Sequence, residues 1–97
     1  MDRQEILICL KNSIEEIRQR FSVRSLAVFG SVARGEQADG SDVDVLVVFN
    51  QAATFDLFMD LKFYLEDLLD MSVDLVTDKA LRPQVRRAIE KELINVA

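Results

Sequence analysis

The run Val43 to Phe49 (VDVLVVF) limits the possible folds more than any other stretch of this chain. Apart from Asp44 it is apolar on both faces, and such a run reads as a central strand covered on each side. The segments around it switch between helical and strand periods. From Asp2 to about Arg20, Ile6, Leu10, Ile14, Ile17 and Phe21 recur every three or four positions, with Asp2 placed as N-cap and Glu5 completing a capping box. Ser25 to Phe29 is short, apolar and ends at Gly30, which suits a buried strand entering a tight turn. Gly30 to Ser41 holds all three glycines and reads as a loop that opens with one helical turn. Thr54 to about Asp70 has helical spacing, Ser72 to Thr77 reads as a third strand, and Pro83 fits the first turn of a last helix reaching about Asn95. The predicted order is α-β-α-β-α-β-α. This is an α/β (α+β) chain with a small mixed β-sheet of about three strands covered by helices, and its 97 residues are expected to form one domain, residues 1–97.

Charge and cysteine content exclude several function classes. With a net charge of -5, sequence-blind binding along a phosphate backbone is opposed over most of the surface, so no direct nucleic-acid binding is expected. Cys9 is the only cysteine, which leaves no internal disulfide, thiolate metal cluster or redox pair and points to a cytoplasmic location. It lies off the main stripe of the first helix and reads as a small, partly buried filler. The N-terminal MDRQEILICLKNS is too short and too charged in its apolar run for a signal or a span, so no membrane association is expected.

The candidate chemistry lies in carboxylates. Asp42 and Asp44 are two residues apart at the start of the second strand, so both side chains share a face with Cβ atoms about 7 Å apart. Two carboxylates so placed can converge on one ion, and they repel each other unless a cation neutralises them. Gly30-Ser31 directly follows a strand, where a glycine lets phosphate approach the backbone and a serine offers a hydroxyl beside free N–H groups. Asp74 interrupts the apolar third strand, where an uncompensated buried carboxylate costs several kcal/mol; an edge strand facing water is the structural alternative. Three aspartates, no histidine and no cysteine pair favour a hard cation such as Mg²⁺ and disfavour zinc. The loop lacks the Gly-Lys-Ser/Thr ending of a P-loop, and Asp42 to Leu46 breaks the EF-hand pattern.

Gly30-Ser31, ten residues, then Asp42-Val43-Asp44 resembles the signature of the polymerase-β-like nucleotidyltransferase superfamily. The string GSVARGEQADGSDVDVLVVF closely resembles its minimal branch, the MNT domain proteins. The likeness extends to Ala33-Arg34-Gly35, to Ser41 before the first aspartate and to Val73-Asp74-Leu75-Val76, and so spans nearly the whole chain. The resemblance implies a Mg-dependent nucleotidyltransferase in which Asp42, Asp44 and Asp74 are the catalytic, metal-holding residues for two Mg²⁺ ions. It further implies that ATP is the substrate and that Gly30, Ser31, Arg34 and Ser41 bind the nucleotide.

Larger members of that superfamily carry a second domain that orients the acceptor, and 97 residues are expected to leave no room for one. The minimal members resemble antitoxins paired with small helical HEPN toxins. The resemblance therefore implies transfer of AMP from ATP to a hydroxyl, that of a tyrosine, on a partner HEPN toxin. Two alternatives stay open: a binding-only antitoxin that neutralises its toxin by complex formation, and the catalytic subunit of a small-molecule nucleotidyltransferase. In the helix from Thr54 to Asp70, Leu57, Phe58, Leu61, Tyr64, Leu65 and Leu68 form one apolar face. Met59 and Phe63 fall on the opposite side among aspartates, a candidate partner surface. The last helix offers Val85, Ala88, Ile89 and Leu93 as its apolar stripe and Arg82, Arg86 and Arg87 near its start.

Overall fold

The computed structural model describes residues 1–97 apart from Gln37 and Asp39, so the loop reading at those two positions lies outside the described residues. The elements run α1 (Arg3–Phe21), β1 (Val23–Phe29), α2 (Gly30–Arg34), β2 (Val43–Phe49), α3 (Phe55–Leu69), β3 (Val73–Thr77), a 3-10 turn (Asp78–Ala80), α4 (Pro83–Glu90) and β4 (Ile94–Asn95). Local chemistry sets the boundaries. Asp2 caps α1 by accepting from the Glu5 N–H at 2.9 Å, within the expected capping box. Thr54 caps α3 by accepting from the Leu57 N–H at 3.1 Å. Ser22 and Asp70 end these two helices in the left-handed conformation.

The sheet is mixed and four-stranded, in the order β3-β2-β1-β4. β1 pairs antiparallel with both β2 and β4, whereas β2 and β3 run parallel with α3 as their crossover. Buried Ile6, Leu10, Ile17 and Phe21 of α1 and Leu61, Leu65 and Leu69 of α3 join Leu26, Val28, Val43, Val45, Val47, Val73 and Leu75 of the sheet in one core. Fully burying an aliphatic side chain of this size contributes about 1.5–3 kcal/mol, so this layer dominates the stability. Cys9 packs at the edge of the core, its thiol 3.7 Å from the Leu68 carbonyl oxygen.

Three expectations need correction. β2 is covered on one face only: Val43, Val45 and Val47 are buried, while Asp44, Leu46 and Val48 on the other face are half-buried. The chain supplies two long helices, and both lie in the core on the same side of the sheet. The last helix ends at Glu90 instead of near Asn95, and Ile94 and Asn95 form a fourth strand against Val28 and Ala27. The free edge of β1 offers backbone partners to any extended segment that reaches it, which a helix through Asn95 would leave unmade. Finally, only Ile89 of the expected stripe in α4 is buried; Val85 and Ala88 are exposed and Leu93 lies beyond the helix.

Candidate active site

The site is built where β1 ends. Gly30 has φ +74°, a left-handed conformation that disfavours any side chain, and it turns the chain from β1 into α2. Its neighbour Phe29 pairs with Asp44 of β2, so the turn passes beside that carboxylate. A Cβ added to Gly30 would collide with the Asp44 carboxylate, whose Cγ lies 3.0 Å from that position. The bare glycine is what admits both the backbone turn and the acid.

Asp74 stands directly opposite Asp44 in the parallel β2–β3 register. Paired residues share a face, so both aspartates lie on the face of the sheet opposite α1 and α3. β3 is an edge strand and Asp74 is exposed there, which removes the burial cost that its apolar sequence context suggested. Asp42 sits just before β2, exposed, and is the third member. The carboxyl of Asp44 is pushed above the ordinary carboxylate range, first by burial, then by the charges of Asp74 and Asp42, by sharing a hydrogen bond with Asp74 and by Glu92. The site therefore carries excess negative charge, and among the described residues none of the three aspartates is ion-paired with a lysine or arginine.

This donor set fits a hard divalent cation: all-oxygen ligands on adjacent strands, in an electrostatic environment that a positive charge would relieve. Among the described residues, however, no three acidic, histidine or cysteine side chains form a ready-made metal cage. Asp44 and Asp74 stand in register on adjacent strands, and Asp42 lies just before β2.

On the other side of Gly30 lies a residue that no motif or spacing singles out. Glu92, in the turn after α4, accepts from the Gly30 N–H through Oε1 at 3.0 Å and from the Arg34 guanidinium through Oε2 at 2.8 Å. Arg34 also donates to Glu36 at 2.9 Å. These bonds hold the Arg34 guanidinium above its ordinary value, Glu36 contributing more than Glu92. They hold the Glu92 carboxyl below its ordinary value, Arg34 first and the Gly30 N–H second. Ser31 is half-buried, and its carbonyl accepts from the Glu36 N–H at 2.8 Å. The Ser41 hydroxyl accepts from the Ala38 N–H at 3.0 Å and so stabilises its own turn in this arrangement. Arg82, Arg86 and Arg87 are exposed, Arg86 pairing with Glu90 at 3.3 Å within α4.

Two other surface features lie away from the aspartates. A cavity of about 570 Å³, lined by Arg24, Phe49, Thr54, Phe58, Thr77 and Lys79, opens at the C-terminal ends of β2 and β3, the opposite end of the sheet. On α3, Phe63 is exposed and Met59 half-exposed, and Phe55 one turn earlier is 75% exposed, making an i, i+4, i+8 apolar stripe. Among the described residues no helix is long and apolar enough to cross a membrane.

The family model for the nucleotidyltransferase domain matches residues 10–96. The protein adenylyltransferase MntA of Thermococcus cleftensis is 40% identical over 93 residues, covering 96% of this chain and 94% of that protein. A solved structure described as a minimal nucleotidyltransferase superimposes with a TM-score of 0.83 at 36% identity, over 97% of this chain and 95% of the other. The fold is also shared with a toxin–antitoxin crystal structure holding AMP-PNP, at a TM-score of 0.75 and 21% identity, over 90% of this chain and 72% of that one.

Proposed function

The chain belongs to the nucleotidyltransferase domain family, and from that premise we propose that residues 1–97 form one minimal nucleotidyltransferase domain that moves AMP from ATP to a hydroxyl of a partner protein. The observation that carries this reading is the Asp44–Asp74 register pair beside the Gly30 turn. It sets acidic ligands next to a backbone that phosphate can approach. The relative from Thermococcus cleftensis is named for protein adenylylation, which supports a protein acceptor.

In this reading Asp42, Asp44 and Asp74 hold two Mg²⁺ ions, which when bound supply charge neutralisation at the transferring phosphate. Gly30 and Ser31 hold the β- and γ-phosphates through the backbone and the hydroxyl, and Arg34 adds a fixed positive charge. Ser41 steadies the loop that delivers Asp42. Asp74, exposed at the sheet edge, takes the proton of the acceptor hydroxyl as its oxygen bonds to the α-phosphorus. The bond from the α-phosphorus to the bridging oxygen breaks, and pyrophosphate leaves with that oxygen's electrons.

The acceptor is a tyrosine hydroxyl on a helical HEPN-type toxin, with this chain as its antitoxin. The stripe Phe55, Met59 and Phe63 is the surface offered to that partner. Incubating the chain and its co-purified partner with α-³²P-ATP and Mg²⁺ tests this: the partner becomes labelled, and Asp42→Asn or Asp44→Asn removes the label. A labelled small molecule in place of protein would instead indicate the catalytic subunit of a small-molecule transferase. The alternative reading is a binding-only antitoxin that neutralises its toxin by complex formation. Full toxin neutralisation by the Asp42→Asn, Asp44→Asn double variant would establish that reading.

A further inference from the structure

The Gly30 N–H and the Arg34 guanidinium are the two donors on which the proposed phosphate contacts most depend, and both already hold an anion. Glu92 spends one carboxylate oxygen on each, at 3.0 Å and 2.8 Å. Carboxylate and phosphate present similar charged acceptor oxygens to a backbone N–H and a guanidinium, so they compete for the same donors. We propose that Glu92 is an internal stand-in for nucleotide phosphate, occupying the Gly30–Arg34 donor pair until a triphosphate displaces it. The proposal rests on the phosphate-binding reading of Gly30 and Arg34.

The position of Glu92 in the chain suits a displaceable group. Its backbone is held on both sides: the Glu92 N–H donates to the Ile89 carbonyl at 2.9 Å, and beyond it β4 pairs with β1. Buried Ile89 anchors the end of α4. The carboxylate can therefore leave by rotation about its own side-chain bonds, with no element moving. Of the two acids that hold Arg34, Glu92 is the better shielded, its side chain 24% exposed against 64% for Glu36. Glu36 can keep its bond to Arg34 while Glu92 is exchanged.

Charge gives the exchange its direction. Glu92 already acts on Asp44 as a further negative group. Without a ligand, its carboxylate satisfies two donors that would otherwise turn to water. Once a triphosphate arrives, carboxylate and phosphate on one donor pair repel each other, and the Glu92 side chain is the one free to swing away. Apparent nucleotide affinity is then reduced by the fraction of molecules in which the donors are occupied.

A rival role, in which Glu92 holds Arg34 in place for phosphate, makes the opposite forecast for affinity. The test is the Kd of Mg·AMP-PNP for the full chain by calorimetry, in the wild type and in Glu92→Gln, Glu92→Ala and Glu92→Asp. Glu92→Gln preserves shape, which keeps a folded comparison available should Glu92→Ala lose its melting transition. The shorter Glu92→Asp keeps the charge and cannot span both donors. All folded variants are expected to bind about five- to tenfold more tightly than wild type. Unchanged or weaker binding in Glu92→Gln and Glu92→Asp overturns the proposal and leaves the enzymatic reading intact. A gain in Glu92→Gln with none in Glu92→Asp reduces the effect to through-space repulsion and also overturns it. No nucleotide binding by wild type or any variant overturns both this proposal and the reading beneath it.

Discussion

The carboxylate of Asp44 fills the space that a side chain on Gly30 would need, so one residue can be acidic only because the other is glycine. Strand register produces the contact, since Phe29 pairs with Asp44 and the next residue must turn past it. Gly30→Ala therefore carries two penalties. The left-handed backbone at φ +74° costs an alanine about 1–2 kcal/mol, and the new methyl drives the Asp44 carboxylate from its place. Gly40 provides the control, because it is also left-handed, at φ +83°, with no described atom within 4 Å of its added Cβ. Gly40→Ala is expected to lose about 1–2 kcal/mol in urea unfolding, and Gly30→Ala more than that. Only Gly30→Ala should also lose AMP transfer, by about 100-fold or more.

Replacing an acid at the register pair separates catalysis from stability. Asp44→Asn and Asp74→Asn each remove a charge from a cluster with no basic partner among the described residues, so neither should destabilise the fold. Transfer should fall about 100- to 10,000-fold in each. Thermal melting with added Mg²⁺ gives a second readout: ligand binding to the native state raises stability by about 2.7 kcal/mol at a hundred times Kd. Wild-type Tm should rise with Mg²⁺, and that of Asp44→Asn should stay flat.

The pH dependence of stability follows from the raised Asp44 carboxyl. Its folded pKa lies above the ordinary value of 3.8, so between the two the native state binds more protons than the unfolded chain. Stability from this group therefore falls as pH rises through that window, and the loss is complete above the folded pKa. Glu92 has the opposite sign. Its folded pKa lies below 4.5, so its contribution is present above that value and is lost as pH falls through the folded pKa. Unfolding of wild type and Asp44→Asn measured from pH 3 to 8 should show Asn stabilising at neutral pH and losing its advantage towards pH 3.8. The comparison of wild type with Glu92→Gln should run the other way.

Much of this was legible in local spacing. Asp2 and Glu5 stand three apart and form the capping box they spell out, and the seven residues of β2 match their predicted span. The family likeness covers Gly30, Ser31, Asp42, Asp44 and Asp74, and the two strands bring Asp44 and Asp74 into direct register. What local spacing could not reveal depended on distant partners. Leu46 and Val48 are apolar whether or not a helix covers them, so an open sheet face and a closed one look the same in sequence. β4 has two residues and no period to detect, and it exists because β1 has an edge to offer. Glu92 meets Gly30 across 62 positions, through that same late strand, and nothing near either residue announces the contact.

The outer face of α3 sets the last expectation. Phe55, Met59 and Phe63 stand on successive turns, with Phe55 75% and Phe63 52% exposed. Lys62 Nζ lies 5.7 Å from the Phe63 ring centre, so a cation already shares that aromatic face. Phe55 also borders the cavity with Arg24 and Lys79, which continues the surface round the end of the helix. Side chains this exposed contribute little to folding, so Phe55→Ala and the pair Met59→Glu with Phe63→Lys should each change unfolding free energy by less than about 0.5 kcal/mol. An aromatic anchor at the centre of an interface is worth about 2 kcal/mol or more, a loss of roughly thirtyfold in affinity. Titrating the purified partner into each variant should show that loss while Asp42→Asn binds like wild type. Unchanged affinity in the charged double variant would place the partner on another surface and leave the aspartate site unaffected.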